Sequence, residues 1–206
     1  IQLNDDSLWP GDLGWNHPDG NSEDLKEIRK LLFQGNIIKV DSLLVKKFSR
    51  KTVVRSHQTL GDLFINFEHK NITDYKRSLN LNQSISYVEY KADGFKVTQK
   101  SLASFPDKLI LFKFKSDHPN GLNGTVSLSR PKDEGVETAR TFYRNGSLIM
   151  EGEVTQRKGV FDSKPTPIER GVKFQTILKP IYTGGKLLFK DSFIELKGVK
   201  ELELRI

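Results

Sequence analysis

The chain has 206 residues, a formal net charge of +7, 36% hydrophobic residues and no cysteine. The length suits one domain, because large β-sandwiches and barrels commonly fill about 200–250 residues as a single unit. The lack of cysteine excludes disulfides, cysteine-based zinc sites and thiol catalysis. No stretch approaches the ~20 consecutive apolar residues that a membrane-spanning helix needs, so we expect no membrane span.

Residues 21–49 have the pattern of two amphipathic helices. Asn21 or Ser22 can cap the first helix, and Gly35 is suited to end it. The apolar face of this helix is predicted to contain Leu25, Ile28, Leu31 and Leu32. The inner face of the second is predicted to contain Val40, Leu43, Leu44 and Phe48. A short helical pair near the N-terminus is therefore expected.

Residues 53–206 read as strands joined by short turns. The predicted strands are residues 63–67, 85–90, 95–103, 109–114, 125–128, 148–154, 172–178, 187–189, 193–196 and 202–206. Ala92-Asp93-Gly94, Asn145-Gly146 and Gly184-Gly185 favour tight hairpins, and residues 118–121 favour a turn. Long loops are predicted near residues 130–137 and 162–170. Because no helix separates the strands, we predict a mainly β fold, a large antiparallel β-sandwich of the super-sandwich type.

The positive charge raises the hypothesis of a basic nucleic-acid-binding domain. The densest basic cluster contains Lys46, Lys47, Arg50, Lys51 and Arg55. Such a cluster is also typical of a solvated helix C-terminus, where cations complement the helix dipole. We favour that interpretation and expect no nucleic-acid partner, with nucleic-acid binding kept as an alternative.

Residue spacing predicts no catalytic site and no cofactor. The histidines are scattered at His17, His57, His69 and His118, so we expect no metal site. Asp5 and Asp6 are adjacent on a segment that reads as extended, so they should point to opposite faces. They therefore cannot face each other across a sugar, as the two carboxyl groups of a glycosidase must.

The N-terminal segment holds the candidate contact residues Asn4, Asp6 and Trp9. A tryptophan ring offers a flat apolar surface for a sugar ring, while amide and carboxylate groups can bond hydroxyls. The alternative is that Trp9 anchors this segment in the core or packs against another domain. Trp15, Asn16 and His17 extend the same segment. At the other end, residues 199–206 alternate up to the last residue, so we expect a piece of a longer polypeptide.

Residues 1–9, Ile-Gln-Leu-Asn-Asp-Asp-Ser-Leu-Trp, resemble the N-terminal signature of glycoside hydrolase family 95, the inverting α-L-fucosidases and their relatives. The similarity continues in order through residues 25–32, 57–63, 73–81 and 104–107. The sequence departs from the family at Pro10-Gly11-Asp12, where Ser-Gly-Gly is usual. It also lacks the Gly-rich strand that precedes the signature in the family.

This resemblance implies that residues 1–206 form a single N-terminal sandwich domain without catalytic residues. In the family the chemistry belongs to a downstream helical barrel, which would be the partner of this domain. A Glu acts there as general acid and Asn/Asp residues position the water. The parent enzyme would remove terminal α-L-fucose, or a related sugar, from a fucosylated glycan. A bacterial enzyme, periplasmic or secreted, is expected. A free-standing carbohydrate-binding β-sandwich is the alternative.

Overall fold

The computed structural model describes residues 1–9, 19–49, 57–133, 135–155 and 172–206, which form two helices and thirteen strands. The helices are α1 (Ser22–Phe33) and α2 (Ile37–Phe48). The strands are β1 (Gln2–Leu3), β2 (Gly61–Phe67), β3 (Ile72–Asn80), β4 (Ile85–Ala92), β5 (Phe95–Ser104), β6 (Leu109–Ser116), β7 (Leu122–Ser129), β8 (Ala139–Arg144), β9 (Ser147–Glu153), β10 (Lys173–Thr183), β11 (Lys186–Phe189), β12 (Phe193–Val199) and β13 (Glu201–Arg205).

The strands form two antiparallel sheets. One has five strands in the order β1-β2-β7-β12-β11, and the other has eight in the order β3-β4-β5-β6-β13-β10-β9-β8. The predicted mainly β sandwich with a helical pair near the N-terminus is confirmed. Strand β13 lies in the interior of the larger sheet, with Leu204 opposite Phe112 of β6 and Pro180 of β10.

The core lies between the sheets and follows the alternation of the sequence. In β7, Leu122, Val126 and Leu128 are buried, and in β13 Leu202 and Leu204 are fully buried. Because successive side chains of a strand point to opposite faces, each alternating run gives one side to the core and the other to solvent. This is why all ten predicted strands are present, most of them one or more residues longer than expected.

Three strands were not predicted, namely β1, β3 and β8. Strand β3 is an edge strand whose nine residues are all exposed, and β8 is the opposite edge of the same sheet. An edge strand need not bury a continuous face, so its sequence lacks the alternation that marks an inner strand. Strand β1 has only two residues, which is too short to show any alternation.

The expected turns and caps are present. Asp93 and Gly94 have φ values of 50° and 84°, and Asn145 and Gly146 have 49° and 76°. Two consecutive positive φ angles are what a type I′ hairpin turn requires. Asn21 caps α1 through a reciprocal capping box with Asp24.

The apolar faces predicted for the two helices are only partly buried. Ile28 of α1 and Val40 of α2 are buried, whereas Leu25 and Leu32 on the face of α1 are exposed, and the prediction that Leu44 lies on the inner face of α2 is wrong because Leu44 is exposed too. The two helices pack against each other, and only the residues along the line between them are protected. Of the basic cluster, Lys47 forms an ion pair across the hairpin with Asp24 at 3.1 Å. Residues 50, 51 and 55 of that cluster, and the predicted loop at 162–170, lie outside the described residues.

Candidate functional site

The N-terminal segment is fixed at two buried leucines. Leu3 and Leu8 are 2% and 1% exposed, whereas residues 4–7 between them are exposed. The Asp5 carboxylate accepts hydrogen bonds from the Ser7 hydroxyl and from the Ser7 backbone N–H. These bonds lower the pKa of Asp5. Asp5 is therefore an ionised group that shapes the turn rather than a proton donor.

Trp9 lies on the surface of this segment, half-exposed at 49%. Its Nε1 donates a hydrogen bond of 2.9 Å to the backbone oxygen of Asp6, and its ring meets that of His57 edge-to-face at 5.5 Å. The alternative in which Trp9 anchors the segment in the core is wrong, because Leu8 fills that role. A half-exposed indole remains able to contact a sugar ring or another domain.

The structure places all three predicted contact residues on this one segment. Asn4 and Asp6 are exposed, as is Trp9. The segment presents an amide, a carboxylate and an indole ring within six consecutive residues. Trp15, Asn16 and His17, which were predicted to extend it, lie outside the described residues.

Residues 57–60 hold the segment against the sandwich. The backbone N–H groups of Gln58 and Leu60 each donate a 3.0 Å hydrogen bond, to the backbone oxygens of Leu8 and Leu3 respectively. His57 Nε2 lies 2.6 Å from the backbone oxygen of Asp5. Residues 57–60, at the start of the 57–63 segment, therefore hold residues 1–9 in place through these contacts.

Arg130 stabilises this support from a distant part of the chain. Its Nε donates to the backbone oxygen of Thr59 at 2.9 Å, and its Nη2 donates to Gln58 Oε1 at 2.7 Å. Its guanidinium also lies 5.1 Å from the centre of the Phe174 ring. Burial lowers the pKa of Arg130, and a nearby carboxylate, Asp133, opposes that shift.

The same contacts connect the N-terminal segment to a groove on the larger sheet. Gln58 Nε2 donates to the backbone oxygen and the hydroxyl of Thr155, at 3.4 and 3.3 Å. Thr155 is 2% exposed, and its hydroxyl also donates to Asp133. Thr155 and Phe174 both line the groove.

The groove has a volume of about 800 Å³ and lies along β8, β9 and β10. Most of the described residues that line it are polar or charged, among them Arg140, Glu151, Gln175 and Lys173, and the Phe174 ring lies beside them. Charged and amide groups next to an aromatic ring can hold a ligand rich in hydroxyl groups.

Glu151 in this groove is held as a carboxylate. Its Oε1 accepts from Arg140 Nε at 3.0 Å and Nη2 at 2.6 Å, and its Oε2 accepts from Gln175 at 3.3 Å. The hydrogen bond from Arg140 lowers the pKa of Glu151 more than any other contact. A general acid for glycoside cleavage needs a raised pKa, so Glu151 is suited to binding rather than to protonating a leaving group.

The described histidines have structural partners. His57 contacts the N-terminal segment, His69 Nδ1 lies 2.8 Å from the Tyr90 hydroxyl, and His118 Nδ1 accepts from the Asn120 backbone N–H at 3.0 Å. In the part of the chain that the structure describes, no group of three or more metal-binding side chains occurs. His17 lies outside that part.

Sequence reasoning did not assign roles to Arg130, Gln58, Thr155 or Glu151. Gln58 belongs to the block at residues 57–63 that resembles the family, and the resemblance gives it no role. Arg130 is 72 residues from Gln58, and Gln58 is 97 residues from Thr155. No local pattern relates residues so far apart. Only the alternation of β9, which places Glu151 on the face opposite Met150, was available from the sequence.

The fold defines a class of protein, an antiparallel β-sandwich domain, here with exposed polar and aromatic groups on its N-terminal segment. The family model of the glycosyl hydrolase family 65 N-terminal domain matches residues 1–206. The chain belongs to that family. The expectation of an N-terminal domain of a glycoside hydrolase is therefore confirmed, while the narrower assignment to family 95 stays a prediction.

Alpha-L-fucosidase 2 of Arabidopsis thaliana is similar to this chain, with 25% identity over 194 residues. The matched region covers 90% of this chain and 23% of that protein. The chain thus spans about a quarter of the length of this relative. Neither helix in the described ranges is long and apolar enough to cross a membrane.

Proposed function

We propose that this chain is the non-catalytic N-terminal accessory domain of an inverting α-L-fucosidase-type glycoside hydrolase of family 95. The observation that carries the proposal is the similarity to alpha-L-fucosidase 2 over 90% of the chain. The ordered resemblances from residue 1 to residue 107 support the same assignment. The parent enzyme removes terminal α-L-fucose or a closely related sugar from a glycan, and it acts in the periplasm or outside the cell.

The non-catalytic role is supported by the chemistry of two carboxylates, Asp5 in the N-terminal segment and Glu151 in the groove. Inverting hydrolysis needs a protonated acid and a water-activating base ~6.5–9.5 Å apart. Asp5 is bonded to Ser7 and Glu151 to Arg140, and both have lowered pKa values. Neither is suited to the acid's role. In this proposal Asn4, Asp6 and Trp9 contact the rim of the substrate or the catalytic domain.

The test compares residues 1–206 with the complete gene product in a nitrophenyl α-L-fucoside assay and a fucosyllactose assay. We expect the complete polypeptide to release nitrophenol and fucose, and residues 1–206 to give only the buffer rate. Trp9→Ala in the complete enzyme should raise KM more than it lowers kcat, because Trp9 contributes binding rather than chemistry. Turnover by residues 1–206 that disappears in Glu151→Gln would place catalysis in the sandwich and overturn the proposal.

A free-standing carbohydrate-binding sandwich is the second candidate, and the groove beside Thr155 and Phe174 favours it. The two candidates differ in the affinity of the isolated domain. An accessory domain supplies only part of a site, so fucosyllactose should bind residues 1–206 with a Kd no tighter than the millimolar range. Calorimetric titration that gives a micromolar Kd, lost in Gln175→Ala, would favour the binding module.

A further inference from the structure

The helical hairpin has an apolar face that the rest of the described chain leaves partly exposed. Its two helices meet along Ile28 and Val40, which are 5% and 6% exposed. Beside this line run two rows of side chains: Leu25 and Leu32 on α1, and Ile37 and Leu44 on α2. Their exposed fractions are 38%, 48%, 58% and 39%. We call these four residues the hairpin face.

The two rows lie on the same side of the hairpin. With about 100° of rotation per residue, Leu25 and Leu32 lie about 40–60° from Ile28, and Ile37 and Leu44 lie about 40–60° from Val40 in the same rotational sense. Two helices joined by a short connection run antiparallel. Viewed along one direction, the same angular offset from the contact line is therefore clockwise on one helix and anticlockwise on the other, so both rows of side chains point to the same side of the hairpin. The hairpin face is therefore continuous, and it runs about 18 Å along two twelve-residue helices.

The spacing within the rows indicates what fits this face. Both rows have a seven-residue repeat, the spacing at which one helix packs against another. Isolated exposed apolar residues are normal on a protein surface, but two aligned rows on adjacent helices form a patch of the kind that marks an interaction site. The surface that complements it is the apolar side of one or more further helices.

The size of the face indicates where those helices come from. Two helices about 18 Å long and about 9 Å apart offer roughly 300 Å², far below the ~800 Å² per partner of a stable interface between separate proteins. A second copy of the chain, or an independent protein, would therefore bind weakly. A segment of the same polypeptide does not face this limit, because a tether raises its effective concentration to the millimolar range.

We propose that the hairpin face is an intramolecular docking surface for helices of a further domain of the same polypeptide. The inference rests on the proposed function, in which this domain precedes a catalytic domain. It agrees with the length of alpha-L-fucosidase 2, of which the matched region is only 23%. The hairpin then acts as the contact that holds the sandwich against the next domain.

The first experiment is hydrogen–deuterium exchange on residues 1–206 and on the complete gene product, neither of which needs a mutation. We expect amides of residues 22–48 to exchange at least tenfold more slowly in the complete polypeptide. Equal rates in the two proteins would overturn the proposal. A second outcome would also overturn the proposal. If residues 22–48 of the isolated 1–206 chain became more protected as the protein concentration rose, and sedimentation showed dimers forming over the same range, the hairpin face would bind a second copy of the chain.

The second experiment introduces Leu32→Asn with Ile37→Asn, and compares it with Leu79→Asn and Leu81→Asn on exposed positions outside the hairpin. In residues 1–206 both double variants should melt within about 2 °C of the unmodified chain. In the complete polypeptide only the hairpin variant should raise proteolytic cleavage between the domains, by tenfold or more. Equal cleavage of both variants would contradict the docking role.

The fucoside assay separates this inference from the proposed function. A complete polypeptide that hydrolyses the fucoside but gives residues 22–48 no extra protection leaves the proposed function intact and removes the docking surface. A complete polypeptide that protects residues 22–48 but does not hydrolyse α-L-fucosides keeps the docking surface and removes the fucosidase assignment.

Discussion

Truncating Leu204 to alanine tests the central place of β13 in the sandwich. The Leu204 side chain is fully buried, and its strand neighbours are Phe112 on one side and Pro180 on the other. Loss of a buried leucine side chain costs about 2–5 kcal/mol, and more where the site cannot collapse around the cavity. Strands on both flanks restrain β13, so we expect about 3–5 kcal/mol, out of a typical total of ~5–15 kcal/mol.

The assay is urea and thermal unfolding of residues 1–206, followed by circular dichroism and tryptophan fluorescence. At about 2–4 °C per kcal/mol for a chain of this size, the loss should lower Tm by about 6–20 °C. Leu79→Ala is the matched control, because it removes the same atoms from an edge strand where the side chain is 61% exposed. It should change the stability by no more than about 0.5 kcal/mol. If Leu204→Ala and Leu79→Ala had the same Tm, the reasoning that places Leu204 in the core would be refuted.

Three further perturbations test other contacts. Arg130→Met removes both hydrogen bonds to residues 58 and 59, so it should lower the free energy of unfolding by about 1–3 kcal/mol. Amide exchange at residues 57–60 should also become faster. Arg140→Met is the control, because the Arg140 side chain is 78% exposed and its loss should change the stability little. Burial lowers the pKa of His69. The unfolded chain therefore takes up a proton near pH 6.5 that the folded chain resists, and the free energy of unfolding should fall as the pH drops below that value. The urea midpoint should be lower at pH 5.5 than at pH 7.5, and this difference should be smaller in His69→Gln. In Gly152→Ala the new Cβ would lie 2.1 Å from the Thr138 backbone oxygen, so melting should show a loss of at least about 1–3 kcal/mol.

Each of these has a result that would count against it. Similar melting of the two arginine variants would mean that the contacts of Arg130 add nothing beyond those of a surface side chain. A pH dependence that persists unchanged in His69→Gln would have to come from other groups. A Gly152→Ala protein as stable as the unmodified chain would mean that β8 shifts freely away from β9.

The inner strands of the sandwich were predictable from the sequence because each one buries one face. Val126 and Leu128 alternate with polar neighbours, as do Leu202 and Leu204, and that periodicity is visible without knowing what the strand pairs with. Strand β3 gave no such signal, because neither of its faces enters the core. The turns were predictable for a different reason, since Asp93-Gly94 is a sequence that readily adopts two positive φ angles.

The candidate site was predictable only in part. The exposed position of Trp9 required the structure, because the hydrophobicity of residues 8 and 9 does not say which of the two enters the core. The support from Arg130 required it too, because a hydrogen bond across 71 residues depends on how β2 and β7 pair. Sequence patterns over a few residues predict individual strands and turns, whereas the contacts around residues 57–60 depend on which strands are neighbours in the sheets.

The interior position of β13 has a consequence for how the domain matures. Lys115 and Glu201 are neighbours in the larger sheet although many residues lie between them in the chain, and pairings of this kind form slowly. During synthesis the meander β3–β6 and the antiparallel strands β8–β10 can form before residues 201–205 leave the ribosome. Until then β6 and β10 each have an unpaired edge, whose backbone N–H and C=O groups can pair with a strand of a neighbouring nascent chain. The interval before β13 joins them is the time at which this domain depends most on dilution or on a chaperone.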